Sequence, residues 1–153
     1  MKTEPNGLAS VPEIEALADQ LSKCADELHK RIVKDIGAHN GGTVSDAEQA
    51  VARALFDDEL VLRQRANSLY ADAASLIVKS LGKSQLHVTG LTAAAAEKIR
   101  HIGSIRNVAG LVAGLLALAG AAASGQPAPI VLALEKIKHQ VEKIKASSVK
   151  KKG

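Results

Sequence analysis

The chain has 153 residues, enough for one domain that buries roughly two thirds of the surface its unfolded form exposes. Aromatic residues make up 1% of it, with Phe56 and Tyr70 and no Trp, and there are four prolines; the short, turn-punctuated β-branched strands of a sandwich or barrel are excluded, and the composition reads as all-α. The formal charge of +4 is concentrated in residues 135–153, where seven lysines stand against two glutamates, so the chain lacks the basic surface, spread over the fold and interleaved with aromatics, that nucleic-acid binders use.

Residues 1–9 read as a loose tail without the apolar core of a secretory signal, and the expected location is cytoplasmic, with membrane association left open. Ser10-Val11-Pro12-Glu13 has the form of a capping box and opens a helix over about 11–36. Ile14, Leu17, Leu21, Cys24, Leu28 and Ile32 draw one apolar stripe along it. Cys24 lies on that stripe, where a buried small hydrophobe is expected rather than a reactive thiol; as a lone cysteine it can form no internal disulfide. His39-Asn40-Gly41-Gly42 is the clearest turn in the chain.

Ser45-Asp46-Ala47-Glu48 is a second capping box and predicts a helix over about 46–81, with Asn67 and Ser68 as its weakest point. Gly82 to Gln85 ends it. A third helix is expected over about 92–124, with Thr89 or Thr92 as N-cap, and it contains Val108–Ser124, VAGLVAGLLALAGAAAS, in which no charged side chain occurs. Gly125 and the prolines at 127 and 129 stop it. A fourth helix over about 129–146 carries Ile130, Leu134, Ile137, Val141 and Ile144 in a 4-3-4-3 rhythm, the seam of a coiled coil. Residues 147–153 read as a second tail. The expected architecture is one antiparallel four-helix bundle around a nearly all-apolar helix.

Chemistry-bearing patterns are few. The five histidines are scattered, no Glu precedes a His by three residues, and no metal site or cofactor is expected. Gly82-Lys83-Ser84 imitates the end of a phosphate-binding loop, but Ile77 stands where the first glycine belongs and a helix precedes it. With no convergent reactive groups in view, the chain reads as a non-enzyme.

The informative feature is the small-residue pattern. Gly103, Gly110, Gly114 and Ala121 recur at helical spacing, with Ala117 between them, and let a second helix approach closely, while Leu111, Leu115 and Leu118 give bulk. Leu and Val contribute about −0.3 to −0.6 kcal/mol each at a bilayer centre. The six in this stretch supply little, and a stable span needs about 20 apolar residues, so a buried helix is favoured over a transmembrane one. The expected function is association between helices, with a second copy or another protein as partner, through these residues and the 130–144 seam. The alternative is a membrane-active protein whose apolar stretch and cationic last helix engage a bilayer, with Lys136, Lys138, Lys143, Lys145, Lys150, Lys151 and Lys152 touching its anionic surface.

Overall fold

The first capping box forms as its spacing requires. The Ser10 Oγ accepts the Glu13 N–H, and the Glu13 carboxylate accepts the Ala9 N–H and the Ser10 hydroxyl; α1 then runs Val11–Gly37. Ser45 caps α2 (Asp46–Asp72) by accepting the Glu48 N–H. They are followed by α3 (Gln85–His101), α4 (Ala109–Ser124) and α5 (Pro127–Lys152), and no strand occurs among the described residues. The computed structural model describes the backbone at residues 6–37, 45–102 and 105–152 and the side chains of 6–36, 45–102 and 107–144.

Helix directions follow from the contacts between them. Asp19 meets Tyr70, Asp26 meets Arg63 and His29 meets Glu59, so α1 and α2 are antiparallel. Glu13 meets Gln85, Cys24 meets Thr92 and Glu27 meets Arg100, so α3 runs parallel to α1. Gly110 lies against Gln140 and Gly114 against Ile137, so α5 returns antiparallel to α4. The main contacts join α1 to α2 and α3, α4 to α2 and α5, and α3 to α5, closing a ring around one core. Leu17, Leu28, Leu55, Leu62, Ile99, Leu115 and Ile137 are among its fully buried members.

Five helices stand where four were expected, and each difference has a local cause. A helix over 92–124 would be about 50 Å long and would overhang 27-residue neighbours of about 40 Å. The chain instead leaves α3 at Ile102, which is extended and buried, and re-enters helix through a 3-10 turn at Ile105–Val108. The break divides the apolar pattern so that both halves face the core. Helix α3 also begins earlier than expected. Its N-cap is Ser84, which accepts the His87 N–H, whereas the Thr89 and Thr92 hydroxyls bond carbonyls one turn back.

Helix α2 passes through Asn67 and Ser68 and ends at Asp72, with a 3-10 turn at Ala73–Ser75 in place of the expected continuation to 81. Val78 and Leu81, which continue the helical apolar pattern, are buried because they pair with the start of the chain. The Val78 N–H donates to the Leu8 carbonyl, the Gly7 N–H to the Lys83 carbonyl, and the Gly82 N–H to Asn6 Oδ1. Leu8 adopts φ 58°, a left-handed conformation costing a branched residue roughly 1–2 kcal/mol, and its buried side chain with two backbone bonds holds it there. Residues 6–9, expected to be loose, are therefore built into the fold. Gly125 (φ 66°) terminates α4 as its position requires. Helix α5 starts at Pro127 and extends to Lys152, longer at both ends than the expected 129–146.

Candidate functional site

Helix α4 is apolar on every side, and the ring covers only part of it. Leu111, Val112, Leu115, Leu118, Ala119 and Ala122 point into the core. The next face meets α5, where a Cβ on Gly114 would lie 3.0 Å from Ile137 Cγ1 and one on Gly110 would lie 2.5 Å from Gln140 Oε1. The glycines thus let α4 and α5 of the same chain approach closely. The remaining face looks outward. Ala109 and Ala113 are exposed and Leu116, Ala117 and Gly120 are half-buried, forming an uncharged ladder at helical spacing.

The flanks of this ladder differ. On the α2 side Arg65 donates to the Leu116 carbonyl at 2.8 Å, and a Cβ on Gly120 would lie 3.5 Å from its guanidinium. A helix-interior carbonyl already bonded along the helix gains this second donor, so Arg65 caps the edge of the ladder. On the α5 side stand Lys136 and Lys143, both exposed, and Leu132, which is 67% exposed. The pairing of 110 with 140 and 114 with 137 puts Leu132 level with Leu118, beside the second half of the ladder.

The expected association residues divide accordingly. Leu111, Gly114, Leu115, Leu118, Ile130, Leu134 and Ile137 are buried inside the chain, and Gly110, Ala121, Val141 and Ile144 are half-buried around them. The 4-3-4-3 seam is the inner face of α5. Gly103 lies outside the described residues, as do the side chains of Lys145, Lys150, Lys151 and Lys152; Lys138 is exposed. The outward set Ala109, Ala113, Leu116 and Gly120 was not singled out by sequence. Its signal was present, since these residues share the helical spacing of the glycines, but only the packing of α5 says which face is left over.

Two polar clusters also depend on tertiary structure. Between α1 and α2, the buried Glu59 carboxylate bonds His29 Nδ1 at 2.8 Å and Arg63 Nε at 2.8 Å, and Arg63 reaches Asp26 at 2.7 Å. The two carboxylates hold the Arg63 guanidinium above its ordinary pKa, the Glu59 bond contributing most. His29 also meets Phe56 edge-on at 5.9 Å. Between α1 and α3, Arg100 forks onto the buried Glu27 carboxylate with bonds of 3.0 and 3.2 Å; those bonds hold Glu27 below the usual carboxylate range against its burial. Neither cluster has a nucleophile within the bonds described. Cys24 is fully buried with Sγ 3.3 Å from the Thr92 carbonyl, and desolvation, helped by nearby Glu27, pushes its thiol up to about 12. It packs as the small hydrophobe its place on the stripe suggested. Among the described residues no group of three or more His, Cys, Asp or Glu side chains is placed to hold a metal ion, and no helix is long and apolar enough to cross a membrane.

No protein-family model, curated protein or solved structure matches the chain.

Proposed function

We propose that this protein is a non-enzymatic helical-bundle component that acts by helix-to-helix association, and that the outward face of α4 pairs with the same face of a second copy. The observation that carries the reading is the ladder of Ala109, Ala113, Leu116, Ala117 and Gly120, left without a covering helix on a helix that has no charged side chain along its whole length. Small residues at i, i+4 spacing make such a face self-complementary, because each helix backbone can enter the shallow groove of the other. The flanks support a two-fold pair with parallel α4 helices. That symmetry sets the α2 side, where Asp57, Asp58 and Asp72 outnumber Arg65, against the partner copy's α5 side with its lysines, whereas an antiparallel pair would set lysine against lysine.

The size of the face sets the strength. A 16-residue helix is about 24 Å long and roughly 10 Å wide, so α4 alone covers about 250 Å² per copy, well under the roughly 800 Å² of a standard interface. Leu132 and the charged flanks enlarge it, but the association is weak and concentration-dependent. Sedimentation equilibrium over a wide concentration range tests the reading: the wild-type chain is expected to shift toward a dimer and Ala113→Glu to remain monomeric. A wild-type chain that stays monomeric throughout refutes it.

The flanking Lys136 and Lys143 favour a second reading, in which the uncharged face of α4 lies on an anionic bilayer surface with α5 beside it. Sedimentation with anionic vesicles that Ala113→Glu abolishes, from a chain monomeric without them, would select it.

A further inference from the structure

Residues 6–8 form a strap over the turn that joins α2 to α3, and the strap begins with an asparagine followed by a glycine. That order carries spontaneous chemistry. The Gly7 backbone nitrogen can attack the Asn6 side-chain carbonyl carbon, because glycine has no Cβ to obstruct the approach. The new C–N bond closes a cyclic imide, and the Gly7 proton leaves with the side-chain nitrogen as ammonia. Water then opens the imide at either carbonyl, restoring the Gly7 N–H and leaving aspartate or isoaspartate. Water is the only co-reactant.

In the closed strap the reacting groups are tied to other partners. Asn6 Oδ1 accepts the Gly82 N–H at 2.8 Å, Asn6 Nδ2 donates to the Lys79 carbonyl at 3.3 Å, and the Gly7 N–H donates to the Lys83 carbonyl at 2.7 Å. Attack requires both groups to leave these partners, which lifts the strap. Packing accounts for the glycine, since a Cβ there would stand 2.9 Å from the Gln85 backbone, and hydrogen bonding accounts for the asparagine. The reactive pair is the consequence of both. The strap can also open by itself. Its hold on the core is the Leu8 side chain, kept in a left-handed conformation, and beyond Asn6 and Gly7 its anchors are the bonds of the Leu8 N–H to Gln85 Oε1 and of the Val78 N–H to the Leu8 carbonyl. Short segments with so few anchors open at free energies well below that of global unfolding.

We infer that Asn6 is a deamidation site gated by the strap, and that its reaction turns a reversible latch into one that stays open. Aspartate at position 6 keeps an acceptor for the Gly82 N–H but loses the donor to the Lys79 carbonyl, setting oxygen against oxygen. Isoaspartate also routes the main chain through Cβ, which moves the Gly7 N–H and the Leu8 carbonyl out of register with Lys83 and Val78. The site is independent of the α4 association.

The test is incubation of the full chain at neutral pH, with peptide mapping by mass spectrometry reading Asn6 apart from the chain's other Asn-Gly pair, Asn40-Gly41. In guanidinium chloride the two sites should react at similar rates, and in native buffer Asn6 should react at least about tenfold more slowly than in denaturant. Leu8→Ala should raise the native rate at Asn6 at least about tenfold, whereas Leu55→Ala, a core truncation at the far end of α2, should leave it unchanged; circular dichroism checks that both remain helical. In Asn6→Asp the Gly7 and Val78 amides should exchange with solvent several-fold faster than in wild type, with the core of α1 still protected. Equal rates at Asn6 in native buffer and in denaturant would overturn the gating, and so would a native rate unmoved by Leu8→Ala or raised as much by Leu55→Ala. No reaction at Asn6 in denaturant while Asn40 reacts would overturn the site, and unchanged exchange in Asn6→Asp would overturn the latch.

Discussion

The two glycines of the α4–α5 contact should respond oppositely to substitution, because what faces them differs in stiffness. A Cβ on Gly114 would meet Ile137 Cγ1 at 3.0 Å with the Ile137 backbone only 3.6 Å away. Gly114→Leu adds three further carbons to that position in the middle of two packed helices. Overpacking of this kind costs about 1–3 kcal/mol; replacing a helix-interior glycine by a good helix former returns up to about 1 kcal/mol. The net expectation is a loss of about 1–2 kcal/mol, or a drop in Tm of roughly 2–8 °C for a chain of this size. A Cβ on Gly110 would clash with Gln140, but with the amide tip of a half-buried side chain that can swing aside, so Gly110→Ala should be neutral or stabilising by up to about 1 kcal/mol. Thermal and urea denaturation followed by circular dichroism measures both. If Gly114→Leu were as stable as wild type, or Gly110→Ala clearly the weaker of the two, the placement of the small-residue face against α5 would be wrong.

Gly120→Ala should raise stability by up to about 1 kcal/mol, since its Cβ would rest in ordinary contact with Arg65 at 3.5 Å; urea titration reads the gain. Glu27 is held below the ordinary carboxylate range, so its share of stability is present above its unfolded pKa of about 4.3 and is lost as pH falls through the lower folded value; Glu27→Gln should therefore flatten the acid limb of a stability–pH profile while lowering stability at neutral pH. Native Cys24 should resist dithiobis(nitrobenzoate) until denaturant unfolds the chain, because its thiol is buried and raised to about 12. Gly7→Ala should destabilise the chain, for its Cβ would meet the Gln85 backbone at 2.9 Å with no flexible neighbour to yield.

The helical class and the helix starts at Ser10 and Ser45 were legible in the sequence because they rest on local chemistry: a serine hydroxyl that accepts the backbone N–H of the glutamate three residues on. The stop at Gly125 was legible for the same reason. What the sequence hid was decided by partners far away in the chain. Val78 and Leu81 keep a helical rhythm past the true end of α2 because the same residues are buried equally well in a segment that pairs through its backbone with residues 6–8. The division of α3 from α4 falls between Ile102 and Val108, where Gly103, Ser104 and Asn107 weaken helix propensity, a local cue that the unbroken apolar run after it masks, and the length of the neighbouring helices favours the fold-back. The small-residue motif announced a close helix contact without saying whose helix, and α5 answers for Gly110 and Gly114.

The central claim is that the outward face of α4 meets the same face of a second copy, and cysteine cross-linking tests it most directly. A Cys24→Ser chain carrying Ala113→Cys and Gly120→Cys offers a matched pair of thiols for α4 helices of either polarity, while the two positions lie about 10 Å apart along one helix, too far for an internal disulfide. Mild oxidation at a concentration where the wild-type chain sediments partly as a dimer should yield a reducible dimer, and a Cys24→Ser control carrying Lys23→Cys on the exposed side of α1 should not at the same concentration. Equal cross-linking of the two proteins, or none from the α4 cysteines, would contradict the account.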